Sequence, residues 1–280
     1  TKFIAFSISE TSNGKMIRKT DYLAVWNAIM KKEAQALHRY PDDRLAIVGC
    51  MRFDHYFTDQ TNPRFPSRET FLASKGLDPT KRTVVLAGPT PSNYPPRKEL
   101  VSRLVRLKRE GKLDGDPNIF VRIHPIDRLS DYDDMANTPG VAIERAGRQT
   151  LPDTHGGQKI EMEEDDLVNL TATLQYADVV VNFASTVIME ACIFDRPVIT
   201  IGFPESRRIV YQFEYNKGLL DTGAVRLANT PDELAQWINR YFAEPELDRA
   251  ERAKLVKDYI PFRDGKTHER TAAFISEIIA

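Results

Sequence analysis

Short apolar runs alternate with segments of helical periodicity along most of the chain. Runs of this kind, bounded by turn residues, are typical of buried strands. They predict strands at residues 21–26, 45–50, 83–87, 118–123, 141–143, 179–183 and 197–201. Apolar residues spaced three and four apart predict helices at residues 28–40, around Leu100 to Leu107, and at 167–176, 186–194, 232–242 and 268–279. This alternation predicts an α/β fold with a doubly wound parallel sheet.

The alternation is interrupted once, between Phe53 and Pro79, where Pro, Asn, Asp and Ser stand among scattered aromatics. Such a composition is typical of a linker. We therefore predict a partial first lobe over residues 1–57, a linker over 58–79 and a main domain over 80–280. The chain begins at Thr1 and runs directly into an apolar segment from Phe3 to Ile8, which indicates that it starts inside a longer gene product.

Composition is that of an ordinary folded protein, with 41% hydrophobic and 28% charged residues. The net charge of -1 gives no general attraction to nucleic acid or anionic lipid, so an anionic ligand must be bound locally. Cys50 and Cys192 show neither metal-ligand spacing nor a disulfide framework, which fits the cytoplasm. No apolar run is long enough to span a bilayer, and peripheral membrane contact stays open.

The most informative segment is 177–191, a buried strand followed by a turn with two hydroxyls and a helix that carries an acid. Ligands of doubly wound sheets bind at the carboxyl ends of strands, and helix N-termini bind phosphate. Ser185 and Thr186 stand where a diphosphate could dock. Glu190 shares a helix face with Thr186, so its carboxylate could accept hydrogen bonds from ribose hydroxyls. The alternative is that Ser185 caps the helix and Glu190 is a solvated charge.

Two further loops occupy equivalent positions. Pro125 ends the strand that carries Arg122 and His124, and the imidazole of His124 could donate to a phosphate oxygen. A strand-end histidine alone is more often structural. The loop from Gly88 to Ser92 offers backbone N–H groups and the hydroxyls of Thr90 and Ser92. Only its position after a predicted strand makes this loop a candidate for ligand binding.

Other polar residues give weaker indications of function. The acidic run Glu161 to Asp166 could suggest a metal site, but Asp165 or Asp166 more simply caps the helix that follows. We expect no metal and no cofactor. The segment His155 to Gly157 predicts a loop. His38, His55 and His268 have no partner that the sequence can identify.

Taken in order, these motifs resemble the C-terminal lobe of GT-B enzymes, which has a Rossmann-like fold. The resemblance rests on residues 122–125, 177–181, 185–191 and 196–199, and on Asp264 to Lys266 before the last helix. It is strongest to CDP-glycerol glycerophosphotransferase-like and capsule-type glycosyltransferases. Residues 21–27 and 48–54 resemble the end of their N-terminal lobe. The resemblance therefore implies that residues 80–280 form a nucleotide-donor-binding domain.

The resemblance also implies the site. A nucleoside-diphosphate-activated sugar or polyol phosphate would be bound by Ser185, Thr186, Glu190 and His124. Arg122, Gly88 and Thr90 are the further candidates for donor binding. Most of the family's N-terminal acceptor lobe is absent, so we expect the isolated chain to have little transferase activity.

Three functions are open at this point. The leading hypothesis is a metal-independent transferase that moves the group to a glycan or polyol acceptor in surface polysaccharide or cell-envelope synthesis. Its location would be the cytoplasm, with peripheral contact at the inner face of the membrane. The second is a UDP-sugar 2-epimerase-like enzyme, which needs no separate acceptor. The third is a non-catalytic nucleotide-binding module.

Overall fold

A computed structural model describes residues 4–5, 20–91, 94–149, 160–161, 163–205 and 214–279. The strands are β1 Ile4–Ala5, β2 Tyr22–Val25, β3 Leu45–Ile47, β4 Thr83–Ala87, β5 Asn118–Ile123, β6 Val141–Arg145, β7 Arg148–Gln149, β8 Ile160–Glu161, β9 Val179–Asn182, β10 Val198–Ile201 and β11 Val225–Ala228.

The helices follow the same order along the chain. They are α1 Ala28–His38, α2 Asp54–Thr58, α3 Arg68–Ser74, α4 Arg97–Arg109, α5 Asp133–Ala136, α6 Glu164–Gln175, α7 Val187–Ile193, α8 Glu214–Asp221, α9 Pro231–Ala243, α10 Arg249–Tyr259 and α11 Thr267–Ile279. None of the helices in the described ranges is long and apolar enough to cross a membrane.

The main sheet has six parallel strands in the order β11-β10-β9-β4-β5-β6. From β4 the chain adds β5 and β6 on one side, then returns to add β9, β10 and β11 on the other. The direction of winding therefore changes between β4 and β9, which is where open parallel sheets form their ligand crevice. The predicted doubly wound α/β fold is confirmed.

Successive residues of each strand point to opposite faces of the sheet, and helices bury both faces. Val84 and Leu86 pack in one cluster with α4 and α9, whereas Val85 packs in the other with α3, α6, α7 and α10. Strands buried on both faces read as unbroken apolar runs, which is why the sequence predicts them well.

A smaller parallel sheet, in the order β1-β2-β3, carries α1 on one face. Of the predicted strand from Phe3 to Ile8, only Ile4–Ala5 lies within the described residues. The end of the chain returns to this sheet. The Asn27 amide donates to the Tyr259 carbonyl at 2.9 Å, and Arg270 Nε donates to the Val48 carbonyl at 3.0 Å.

The stretch between Phe53 and Pro79 contains helices α2 and α3, which the sequence did not predict. Its aromatic and aliphatic side chains are buried beneath the main sheet: Phe53, Tyr56, Phe71, Leu72 and Leu77. The division into two lobes and a linker stays a prediction, but this segment packs as part of the core.

Helix α11 begins on a carboxylate from this segment. Asp54 accepts from the backbone N–H of Thr267 at 2.9 Å and from its hydroxyl at 2.7 Å. A side-chain oxygen placed on the first N–H groups of a helix satisfies donors that have no partner within the helix. Asp54 therefore fastens the last helix to the segment between the sheets.

We predict that Asp54→Ala lowers the free energy of unfolding by about 1–2 kcal/mol, because it removes a helix cap between remote parts of the chain. Urea unfolding followed by circular dichroism measures this. The matched control is Glu269→Ala in the same helix turn, where an exposed carboxylate lies 3.5 Å from Lys266. The control should change stability by less than about 0.5 kcal/mol. Equal effects of the two substitutions would contradict the capping role.

Candidate functional site

A cavity of about 600 Å³ opens at the carboxyl ends of β4, β5 and β9, beside the change of winding direction. This volume is in the range of small-ligand sites. Six of the seven predicted site residues line it: Gly88, Thr90, Arg122, His124, Ser185 and Thr186. The seventh, Glu190, lies behind Thr186. Ser92 and the predicted loop at His155 to Gly157 lie outside the described residues.

Gly88 joins the ends of β4 and β5. Its N–H donates to the Arg122 carbonyl at 2.8 Å. The prediction that this N–H is free to bind a ligand is therefore wrong. A Cβ at position 88 would lie 3.0 Å from the Ile123 Cα and 3.2 Å from the His124 nitrogen. Both are backbone atoms that cannot move independently. Glycine therefore allows the close approach that places His124 at the cavity.

His124 is half-buried in the cavity wall. The N–H of Ile126 donates to its Nδ1 at 3.3 Å, so the neutral ring carries its hydrogen on Nε2. Burial lowers the pKa of His124, and the charge of Arg52 lowers it further while that of Asp127 raises it. The imidazole is therefore neutral near pH 7 and offers one N–H donor.

Arg122 lies in the wall, where it is paired with Glu144. Its guanidinium donates to Glu144 Oε1 at 2.9 Å, and Lys75 and Asn169 also donate to this carboxylate at 2.6 and 2.9 Å. Burial lowers the pKa of Arg122, although the charge of Glu144 opposes the shift. Arg122 therefore holds the wall together and offers little free charge.

The turn after β9 has an unusual backbone. Ala184 has a φ of 42°, a left-handed conformation that costs a residue with a Cβ about 1 kcal/mol. Its N–H donates to the Thr200 hydroxyl at 3.1 Å, which helps to hold the turn. Ser185 Oγ lies 3.4 Å from the Val187 nitrogen and caps the helix only weakly. The turn thus presents the hydroxyls of Ser185 and Thr186 to the cavity.

Glu190 has no exposed surface, so the interpretation of it as a solvated charge is wrong. Its Oε1 accepts from the Thr186 hydroxyl at 2.9 Å and lies 3.6 Å from Arg52 Nε, and its Oε2 accepts from the Tyr56 hydroxyl. Burial, followed by the charge of Glu190, raises the pKa of Tyr56 well above its ordinary value. Tyr56 is therefore a neutral donor to a buried carboxylate.

Four polar residues of the cavity wall were not singled out from the sequence: Arg52, His55, Thr173 and Asn216. Arg52 directly precedes the segment interpreted as irregular and His55 lies within it, and only the order Arg52-Phe-Asp-His55 before a helix could have drawn attention to them. Asn216 is buried, and its Oδ1 has no hydrogen-bond partner. The remaining wall is apolar and comes from the strand ends and their loops and from α6, through Leu167, Leu170 and Leu174.

Metal binding was not expected from the sequence. Among the residues that the structure describes, no group of three or more His, Cys, Asp or Glu side chains could hold a metal ion. The absence of a metal from the chemistry stays a prediction.

A family model described as CDP-glycerol:poly(glycerophosphate) glycerophosphotransferase matches residues 5–277. A comparison of the sequence with curated proteins finds no significant match.

Solved structures of similar fold include a variant of the wall teichoic acid polymerase TagF soaked with CDPG. It is 15% identical with a TM-score of 0.59, and the match covers 92% of this chain and 57% of that one. The UDP-GlcNAc 2-epimerase of Neisseria meningitidis bound to UDP-GlcNAc is 10% identical with a TM-score of 0.59, over 90% of this chain and 61% of that one.

The MnaA–UDP complex of S. aureus is 14% identical with a TM-score of 0.59, over 92% of this chain and 60% of that one. The chain thus spans about three fifths of the length of each of these structures. At such low identities the likeness shows the fold.

We predict that Tyr56→Phe lowers the free energy of unfolding by about 1.5–3 kcal/mol, because it removes a donor from a buried carboxylate. The control is Tyr176→Phe, which removes a hydrogen bond of 2.6 Å to the neutral Pro66 carbonyl. Its cost should be about 1 kcal/mol. Denaturant unfolding measures both. A smaller effect at Tyr56 than at Tyr176 would show that the carboxylate is satisfied without this hydroxyl.

A second prediction concerns the neutral His124. Its pKa is lower in the folded chain than in the unfolded one, so the unfolded chain binds more protons as the pH falls below about 6.5. Stability from this group is complete above that pH and is lost as the pH falls toward the folded pKa. Unfolding measured at about pH 8 and pH 5 should therefore show a smaller loss in His124→Gln than in the parent chain. An equal loss would show that His124 is not kept neutral.

Proposed function

Because the chain belongs to the CDP-glycerol:poly(glycerophosphate) glycerophosphotransferase family, we propose that its cavity binds a nucleotide-activated polyol phosphate or sugar. The activated group would be transferred to a glycan or polyol acceptor of a cell-envelope polymer. The observation that carries the proposal is the convergence of six predicted donor-binding residues on one cavity of about 600 Å³, at the change of winding direction.

The polar end of the cavity suits a diphosphate. His124 offers Nε2–H, and Ser185 and Thr90 offer hydroxyls from neighbouring loops. These are neutral donors held by a rigid sheet edge, so they can stabilise the negative charge that develops on a departing nucleotide without reorganising. The proposal needs neither a metal nor a cofactor beyond the donor itself.

Glu190 suits the ribose. In the structure the Thr186 hydroxyl donates to Glu190 Oε1 at 2.9 Å. A hydroxyl has one hydrogen, so Thr186 can donate to a phosphate only by giving up this bond. We propose that this exchange accompanies binding, and that a ribose hydroxyl then donates to the oxygen that Thr186 has released. Thr186 and Glu190 would thereby couple phosphate binding to ribose binding.

Fold likeness does not separate transferase from epimerase, since structures of both kinds give the same TM-score of 0.59. The family match favours the transferase. The deciding experiment is calorimetric titration with CDP, UDP and GDP, followed by incubation with CDP-glycerol and UDP-GlcNAc. Preferential binding of one nucleotide supports a donor site. Interconversion of UDP-GlcNAc without an acceptor would favour the epimerase, and absence of nucleotide binding would contradict both.

The donors of such a transferase are cytoplasmic metabolites. We therefore propose a cytoplasmic location, with peripheral contact at the inner face of the membrane where a growing polymer would be presented. The two free cysteines, Cys50 and Cys192, are both buried and fit a reducing compartment.

We predict that Glu190→Gln raises the dissociation constant for CDP by about tenfold to a hundredfold, because bonds to a charged acceptor contribute roughly 1.5–3 kcal/mol. The amide keeps the size of the side chain but presents donors to Arg52 and Tyr56. Calorimetry measures the loss, with circular dichroism to verify folding. The control is Glu233→Gln, at a partly exposed carboxylate outside the cavity lining that accepts from Asn229 at the start of α9. Unchanged affinity in Glu190→Gln would assign this acid a purely structural role.

A further inference from the structure

His55 is held rigidly at the edge of the cavity by two side chains. Its Nδ1 lies 3.0 Å from Asp59 Oδ2 and 3.1 Å from Thr171 Oγ1, and the Thr171 hydroxyl donates to the same Asp59 oxygen at 2.6 Å. The side chains of His55 and Asp59 are only 14% and 13% exposed. The imidazole ring also packs on Tyr56, with centroids 3.9 Å apart. This cluster fixes the orientation of the ring.

The cluster also fixes the tautomer. A carboxylate only accepts hydrogen bonds, so the hydrogen between His55 and Asp59 belongs to the imidazole Nδ1. The neutral ring then carries a lone pair on Nε2. No hydrogen bond of Nε2 to another described residue is found, and His55 lines the cavity. In its neutral form, His55 therefore offers an acceptor at Nε2, on a residue that lines the cavity.

The position of His55 in the cavity indicates which part of a bound nucleotide it would contact. Thr171, its partner, lies on α6 between Leu170 and Leu174, which form the apolar wall. The hydroxyls and the imidazole of His124 come from the loops after β4, β5 and β9, whereas His55 and the leucines come from α2 and α6. A nucleoside diphosphate has the same polarity, with charge at one end and a flat, weakly polar base at the other. Phosphates on the loops place the base against α6, beside His55.

We propose that His55 determines the nucleobase specificity of this site, by accepting a hydrogen bond at Nε2 from the 4-amino group of cytosine. The inference rests on the proposed function, which supplies the nucleotide. Uracil has a carbonyl oxygen where cytosine has the amino group, so two acceptors would face each other and neither would be satisfied. The site should therefore prefer CDP to UDP. Asp59 acts as a positioning residue through the tautomer that it imposes.

The experiment is calorimetric titration of the chain and two variants with CDP, UDP and pyrophosphate. The parent chain should bind CDP about tenfold more tightly than UDP, as expected for one hydrogen bond gained rather than lost. His55→Phe keeps a ring against Tyr56 but removes the acceptor. CDP affinity should fall about tenfold in this variant, while the dissociation constants for UDP and pyrophosphate change less than about twofold.

Asp59→Asn tests the tautomer. Where the amide nitrogen takes the place of the shared Asp59 oxygen, it donates one hydrogen to His55 Nδ1 and the other to Thr171 Oγ1, which moves the ring hydrogen of His55 to Nε2. The site should then prefer UDP, whose carbonyl accepts from that hydrogen. A packing role for the cluster would not reverse a preference. His268→Phe, at a histidine that is 63% exposed on α11, is the control and should leave both affinities unchanged.

Each outcome bears on a separate claim. Equal weakening of CDP and UDP in His55→Phe, or loss of pyrophosphate binding with them, would overturn the inference and leave the donor site intact. A parent chain that binds none of the three ligands would instead overturn the proposed function. If His55→Phe does not fold, the preference of Asp59→Asn decides, and an unchanged preference for CDP would overturn the inference.

Discussion

The buried carboxylate of Glu190 is the constraint on which the site depends. An ionised carboxylate without exposed surface is costly unless its oxygens are hydrogen-bonded and its charge is matched. Glu190 meets this requirement with Thr186 from its own helix and with Tyr56 and Arg52 from the segment that follows β3. Because these partners are remote in sequence, the segment must dock against the turn after β9 before the cavity exists.

Helix α2 is the element that makes this docking possible. Three successive residues bind in three directions: Asp54 caps α11, His55 joins Asp59 and Thr171, and Tyr56 reaches Glu190. A helix of five residues has almost no stability of its own, so these contacts hold it in place. The connection between the two sheets is therefore specified by side-chain hydrogen bonds that also build the cavity wall.

The buried strands could be predicted from the sequence, whereas helix α2 could not. Strands such as Asn118–Ile123 are buried on both faces and follow from their apolar runs, and parallel pairing brings Gly88, His124 and Ser185 to one edge. Helix α2 carries no such signal, because its residues are polar or aromatic without a clear period.

Helix α10 was missed for a similar reason. Arg252 is fully buried within it, and is matched by Asp195 at 2.8 Å and by the Leu247 carbonyl at 2.6 Å. The contacts of Glu190 with Tyr56 and of His55 with Thr171 were equally hidden, since these pairs lie 134 and 116 positions apart.

The charged side chains of the cavity wall lie beside groups of opposite charge. Arg122 is paired with Glu144 at 2.9 Å, and Arg52, the more exposed of the two, lies 3.6 Å from Glu190. The remaining donors at the polar end are hydroxyls and one neutral imidazole. Such donors act over hydrogen-bond distances and require correct direction, whereas a free cation attracts any anion within a Debye length of about 8–10 Å. A site built in this way distinguishes ligands by the placement of their oxygens.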